Sequence, residues 1–258
     1  MKYVYFLILL FSICDAEKID LNNWDKKELS QFLSDNNSTF DSDKVKNITN
    51  KFLNTPYKAN TMIGSPDQKE ELVIDLAHLD CFTFIDYVEA MKRSGSFDEF
   101  KTNLISLRYQ ESNIDYISRN HFFSDWTIYN GFENITSSLY PKAKQVTKTL
   151  NLSKKNTLFL QGIKTKKLKI DYIDSKDLND EIINKLHTGD YIGIYTHIKG
   201  LDVSHTGIII KKEGKTYFRH ASSKKKFLKV VDEPFESYIK NTPGFIVLRE
   251  KNKFKGYK

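Results

Sequence analysis

Cys81 is the residue whose type and setting are best suited to chemistry. It stands in Leu79-Asp80-Cys81-Phe82-Thr83-Phe84-Ile85-Asp86-Tyr87-Val88, where apolar residues at 81, 84, 85, 88 and 91 keep helical spacing and Asp80 is a good N-cap. The spacing predicts Cys81 as the first helical residue. There the free N–H groups and the positive end of the helix dipole would lower the thiol pKa and could hold an oxyanion. Buried structural cysteines are the commoner kind in general, but packing alone gives no reason to prefer this position.

A sulfur nucleophile that cleaves an amide also needs an imidazole to take and return a proton. The chain has 6 histidines, at 78, 121, 187, 197, 205 and 220. His78 falls just outside the predicted helix, and His187 precedes the turn Thr188-Gly189-Asp190. His205 lies in Ser204-His205-Thr206-Gly207-Ile208-Ile209-Ile210, a strand expected to turn through Lys212-Glu213-Gly214-Lys215 into Thr216-Tyr217-Phe218-Arg219-His220. His205 and His220 would then lie on adjoining strands in an open register, a base and a polar group to orient it. Two strand histidines capping a core remain an alternative. A zinc site of His197, Asp202, His205 and His220 fits no tight ligand spacing, so neither a metal nor any other cofactor is expected.

The elements that must position these groups read as helices first and strands after. Residues 17 to about 53 are expected to be helical, with Trp24, Leu29, Phe32 and Leu33 on one face and, after Asp41 as a cap, Val45, Ile48 and Phe52 on another. A loop with Pro56, Gly64 and Pro66 leads to the cysteine helix. Residues 95–175 have weak periodicity and read as an insertion forming one side of a cleft. Strands are expected at 190–197, 204–211, 216–220, 227–231 and 244–250. The order predicts an α+β fold in which the cysteine helix packs on an antiparallel sheet, in one catalytic domain over 17–258. No internal repeat or flexible linker marks a second domain.

The start of the chain, 1–16, has the layout of a secretory signal peptide: Lys2, an apolar run from Tyr3 to Ile13, and Cys14-Asp15-Ala16 with small residues at the cleavage positions. A lipid anchor on Cys14 is the alternative reading, but Ile13 before it fits poorly. Cleavage after Ala16 removes one of the 2 cysteines and leaves Cys81 alone in an exported chain, so no intramolecular disulfide can form. The Asn-x-Ser/Thr sites at Asn36, Asn37, Asn47, Asn134 and Asn151 would matter only in a eukaryotic secretory pathway.

Several stretches together resemble a known family. Thr55-Pro56-Tyr57, Leu79-Asp80-Cys81-Phe82-Thr83-Phe84, Leu107-Arg108-Tyr109, Ser118-Arg119-Asn120-His121-Phe122-Phe123-Ser124-Asp125-Trp126, Gly189-Asp190, Gly200-Leu201-Asp202-Val203-Ser204-His205-Thr206-Gly207 and His220-Ala221-Ser222-Ser223 occur in the order and spacing of the bacterial N-acetylmuramoyl-L-alanine amidase-like family. That family is similar to the papain-like, NlpC-type cell-wall cysteine peptidases, and the match runs from about Phe52 to Arg249. The resemblance implies that Cys81 is the nucleophile, His205 the general base and His220 the residue orienting it. Tyr57 would lie near the nucleophile and help hold the oxyanion. Arg119, His121 and Trp126 would wall the substrate cleft, and Asp202 would hold the loop before His205. Phe82 and Ile85-Asp86 depart from the Val and Glu that related chains often carry beside the nucleophile.

Composition bounds the remaining classes. With 28% charged residues, 13% aromatic, 11 Gly and 5 Pro, the chain is neither a disordered tail nor a low-complexity polymer. No apolar run reaches the roughly 18–20 residues of a membrane span. The 40 Lys+Arg against 33 Asp+Glu, net +7, lie in Lys-rich runs such as 164–169 and 224–226. An exported chain without a recognisable nucleic-acid module leaves a solvated surface or attraction to anionic wall polymers. The resemblance therefore implies an exported cysteine amidase, periplasmic or extracellular and monomeric, acting on peptidoglycan or muropeptides between N-acetylmuramic acid and L-alanine. Two alternatives stay open: a stem-peptide endopeptidase cutting between D-Glu and the diamino acid, and a non-catalytic wall-binding or host-directed interaction protein.

Overall fold

Ile208-Ile209-Ile210 is an unbroken apolar run, which suits a strand buried on both faces. The computed structural model, which describes residues 17–37 and 41–251, shows this arrangement. The expected leader, with Lys2, Cys14 and Ala16, lies outside the described residues. In chain order the elements are β1 (Glu17–Asp20), α1 (Lys26–Asn36), α2 (Asp41–Lys51), β2 (Ile63–Ser65), β3 (Gln68–Asp75), α3 (Cys81–Lys92) and α4 (Phe97–Arg108). Then come α5 (Asp125–Tyr129), β4 (Phe132–Asn134), α6 (Thr136–Leu139), β5 (Lys144–Leu150), β6 (Lys166–Asp174) and α7 (Asp180–Lys185). The chain closes with β7 (Tyr191–Tyr195), β8 (Val203–Lys212), β9 (Lys215–Ser222), β10 (Lys229–Pro234), α8 (Phe235–Ile239) and β11 (Gly244–Glu250).

The fold is mixed α+β around an antiparallel eight-stranded sheet of order β10-β9-β8-β7-β11-β6-β5, with β4 paired to β11. Successive residues point to opposite faces, and each face has its own core. Ile208, Ile210, Ile246 and Leu248 pack with Phe84, Ile85, Val88 and Met91 of α3. Ile209, Phe218, Phe245 and Val247 pack with Phe235 and Ile239 of α8. The β8–β9 hairpin forms as expected. Glu213 (φ 52) and Gly214 (φ 70) make a two-residue turn flanked by the Lys212 and Lys215 pair, and its positive φ values match the strand twist.

The N-terminal part differs from the sequence expectation. Leu29, Phe32 and Leu33 form the expected helix face, with Trp24 packing beside it from just before the Asp25 cap, but Glu17–Asp20 is a strand running parallel to β3. The expected loop before the cysteine helix contains β2 and β3, so β1-β3-β2 form a second, three-stranded sheet. Charged Lys69, Glu70 and Glu71 hide the strand signal of Leu72-Val73-Ile74, because Glu70 is buried on an ion pair rather than exposed. Residues 95–175 do more than line a cleft, since β5 and β6 extend the main sheet. Asn151, at the end of β5, is fully buried and its amide donates to the Leu160 (2.9 Å) and Ile163 (2.7 Å) carbonyls, so it cannot carry a glycan. No helix among the described residues is long and apolar enough to cross a membrane.

Candidate active site

Cys81 opens α3, as its neighbours predict. Asp80 caps the helix: its Oδ1 accepts from the N–H groups of Phe82 (2.9 Å) and Thr83 (2.7 Å), and Thr83 Oγ1 in turn accepts from the Asp80 N–H (3.0 Å). Asp80 thereby occupies two of the first-turn donors expected to favour a thiolate. Burial first, and the Asp80 carboxylate after it, together push the Cys81 thiol up to about 11, against a lowering influence of Thr206. The expected low-pKa thiolate is thus corrected, because desolvation and a neighbouring carboxylate outweigh the helix end. The resting residue is a partly accessible, protonated thiol.

Strand β8 fastens the helix start, with Thr206 Oγ1 donating to the Cys81 carbonyl at 2.7 Å. A register shift in the β7–β8 pairing, from His205 opposite Ile194 to Val203 opposite Tyr195, leaves Ser204 as an extra residue beside His205. Such bulges re-aim neighbouring side chains. His205 and Cys81 line one cavity of ≈ 230 Å³, together with Phe82, Phe122, Phe123, Leu160 and Leu201. It is a mainly apolar recess beside a thiol and an imidazole.

His205 and His220 meet, but not as directly opposed strand partners. With Ile208 opposite Arg219, His220 falls beside position 207, and its Nδ1 lies 2.7 Å from His205 Nε2. Position 207 must be glycine, because a Cβ there would come within 2.5 Å of the Phe218 ring. That ring stacks on His220 at 4.7 Å and 17°. Burial pushes both imidazoles down to about 3, so both are neutral at physiological pH. His220 Nε2 continues the chain to Glu233 Oε1 at 3.1 Å, and the same oxygen accepts from Lys224 Nζ at 2.7 Å. Glu233 and Thr206 were not singled out from sequence. Only the strand register, which sets Val231 against His220, brings Glu233 within reach.

Tyr57 comes to the same place through backbone bonds from Leu79 N to Pro56 O (3.0 Å) and Lys58 N to Leu79 O (3.0 Å). Its phenol is raised by burial, then by Cys81 and Asp80, which keeps it a hydroxyl donor. Asp202 lines the cavity and ties the loop before His205: its oxygens accept from Ser124 N and Val203 N, both at 2.8 Å. His121 lines the cavity, its Nε2 2.8 Å from the Tyr116 carbonyl.

The two other expected cleft residues are elsewhere. Arg119 is engaged by Glu70 across to β3. Trp126 is fully buried among Phe132, Tyr191 and Phe82, where it supports Phe82 from behind without meeting the cavity. Its neighbours Phe122 and Phe123 hold the wall position instead. Among the described residues, no cluster of three or more His, Cys, Asp or Glu side chains is arranged to hold a metal ion.

A cysteine helix on an antiparallel sheet, a recess lined by the Cys81 thiol and the His205 imidazole, and His220 and Glu233 bonded in sequence behind that imidazole define a candidate hydrolase site. Residues 47–245 match the AmiA-like, N-acetylmuramoyl-L-alanine amidase-like family, and the chain belongs to that family. The chain is similar to the crystal structure of an N-acetylmuramoyl-L-alanine amidase from Bacteroides uniformis, with 30% identity and a TM-score of 0.66, covering 82% of this chain and 99% of that one. A Legionella pneumophila protein of 22% identity shares the fold, with a TM-score of 0.72 over 86% of this chain and 93% of that one. No curated protein sequence matches the chain.

Proposed function

We propose that this protein is an exported cysteine amidase of the papain-like, NlpC type that hydrolyses peptidoglycan between N-acetylmuramic acid and L-alanine. The observation that carries the reading is the single cavity lined by Cys81 and His205, with His205 bonded to His220 at 2.7 Å. Family membership and the Bacteroides uniformis amidase support the substrate. Export rests on the leader-like run before Glu17.

The reaction starts from a neutral pair. His205 takes the Cys81 proton as the sulfur attacks the amide carbonyl, so the charge passes to the substrate oxygen without a free thiolate forming first. The Cys81 N–H and the Tyr57 hydroxyl would receive that oxygen, since the Phe82 and Thr83 N–H groups are held by Asp80. The intermediate collapses to a thioester, and the leaving amine departs with the proton from His205. Water, deprotonated by His205, then attacks the thioester, releasing the acid and restoring the thiol.

Digestion of purified sacculi, read by mass spectrometry, tests the bond. The proposal expects glycan strands with free lactyl carboxylates and stem peptides beginning at L-alanine. Stem peptides cut after D-Glu would instead make the protein an endopeptidase. Binding without any released fragment would make it a wall-binding protein.

A further inference from the structure

We infer that Glu233 is a positioning residue: acting through His220, it dictates which nitrogen of His205 stays unprotonated and so which nitrogen takes the Cys81 proton. The inference rests on the reading of Cys81 and His205 as nucleophile and base.

Glu233 lies on β10 beside Phe218, two residues from the partner of His220. Its Oε1 is 3.1 Å from His220 Nε2 and 2.7 Å from Lys224 Nζ, and Lys226 Nζ stands 4.0 Å from Oε2. A carboxylate between two ammonium groups accepts and does not donate, so His220 Nε2 must carry the proton. The buried His220 ring is neutral and has only that one proton, which leaves Nδ1 as an acceptor. His205 Nε2, 2.7 Å away, must then be the donor. His205 is neutral as well, so its lone pair is left on Nδ1.

Without Glu233 the two imidazoles lose this direction. His220 could carry its proton on Nδ1 and donate it to His205 Nε2, which would place the His205 proton on Nδ1 and occupy the atom that must accept from Cys81. Both arrangements keep the bond between the rings, so their contact alone does not choose between them. The carboxylate makes the choice. Phe218, stacked on His220, and Tyr238, whose ring lies 5.1 Å from it, hold the ring in place but have no acceptor bonded to its Nε2.

Histidine ring 15N spectra of the full chain read the tautomers directly, with His205 and His220 assigned by single substitution. Wild-type protein should show both rings protonated on Nε2. Glu233→Ala should move a substantial fraction of His220 and His205 to the Nδ1–H form and lower kcat by at least about tenfold with KM little changed, as loss of a triad's orienting group does. Glu233→Gln keeps an acceptor oxygen and should restore most of both signals. A wild-type spectrum with His205 protonated on Nδ1 overturns the inference, whether or not the alanine variant folds. Wild-type tautomers and kcat in folded Glu233→Ala also overturn it. Retained turnover in Cys81→Ala would overturn the nucleophile assignment instead and leave the tautomer spectra as predicted.

Discussion

The Thr206 hydroxyl donates a 2.7 Å hydrogen bond to the backbone carbonyl of Cys81, fastening the first residue of α3 to the strand residue that follows His205. Two groups far apart in the chain are held in register by one side chain. Thr206 is itself fully buried, and it also lowers the Cys81 thiol pKa against burial and Asp80.

Thr206→Val keeps the shape and removes the donor. Stability should fall by about 1 kcal/mol in urea titration, the usual cost of one hydrogen bond. Hydrolysis should fall further, about tenfold in kcat/KM, because the spacing of helix and strand sets the site. Equal loss of stability with unchanged kcat/KM would show that the clasp does not position the reaction.

Asp80→Asn tests why the thiol rests protonated. Asparagine caps a helix about as well as aspartate, so the fold should persist while one of the two influences raising Cys81 disappears. The pH midpoint for alkylation by iodoacetamide should move below the wild-type value of about 11, with burial still holding it above an ordinary thiol. An unmoved midpoint would leave burial as the whole cause.

His220 ties stability to acid. Its folded pKa of about 3 lies below the ordinary 6.5, so the unfolded chain binds the proton first as pH falls. Stability from keeping this ring neutral is therefore complete above about 6.5 and is lost progressively down to about 3. Compared with His220→Gln, wild-type protein should lose up to about 1.4 kcal/mol more per pH unit inside that window. Urea titrations of both at several pH values check this. A stability difference that stays constant with pH would contradict it.

Gly207→Ala should cost about 1–3 kcal/mol, because the new methyl meets the Phe218 ring and the Arg219 carbonyl at 2.5 and 2.6 Å. Displacing Phe218 also disturbs His220, so turnover should fall even where the protein remains folded at the assay temperature. Thermal unfolding with parallel rate measurements separates the two effects.

What could be read beforehand followed local rules. Asp80 with helical apolar spacing marks the start of α3, and Glu213-Gly214 between β-rich runs marks the β8–β9 hairpin. Glu233 could not be found that way, since it is one acidic residue among many until strand register places β10 beside β9. Arg119 and Trp126 are polar and aromatic in a stretch near the site. Whether such residues face the cavity or the core depends on long-range partners, here Glu70 for Arg119 and Phe132 and Tyr191 for Trp126. The thiol pKa departs from the sequence expectation for a related reason: the helix-end effect is local, but the desolvation that outweighs it comes from the assembled site.

Cleavage of a peptidoglycan amide by Cys81 is the reaction proposed for this site. The most direct measurement is the release of new amino groups from purified sacculi by wild-type protein and by Cys81→Ala, with matched circular dichroism to show that both are folded. Steady release is expected from the wild type and none above background from the variant. Release at the wild-type rate from folded Cys81→Ala would contradict it.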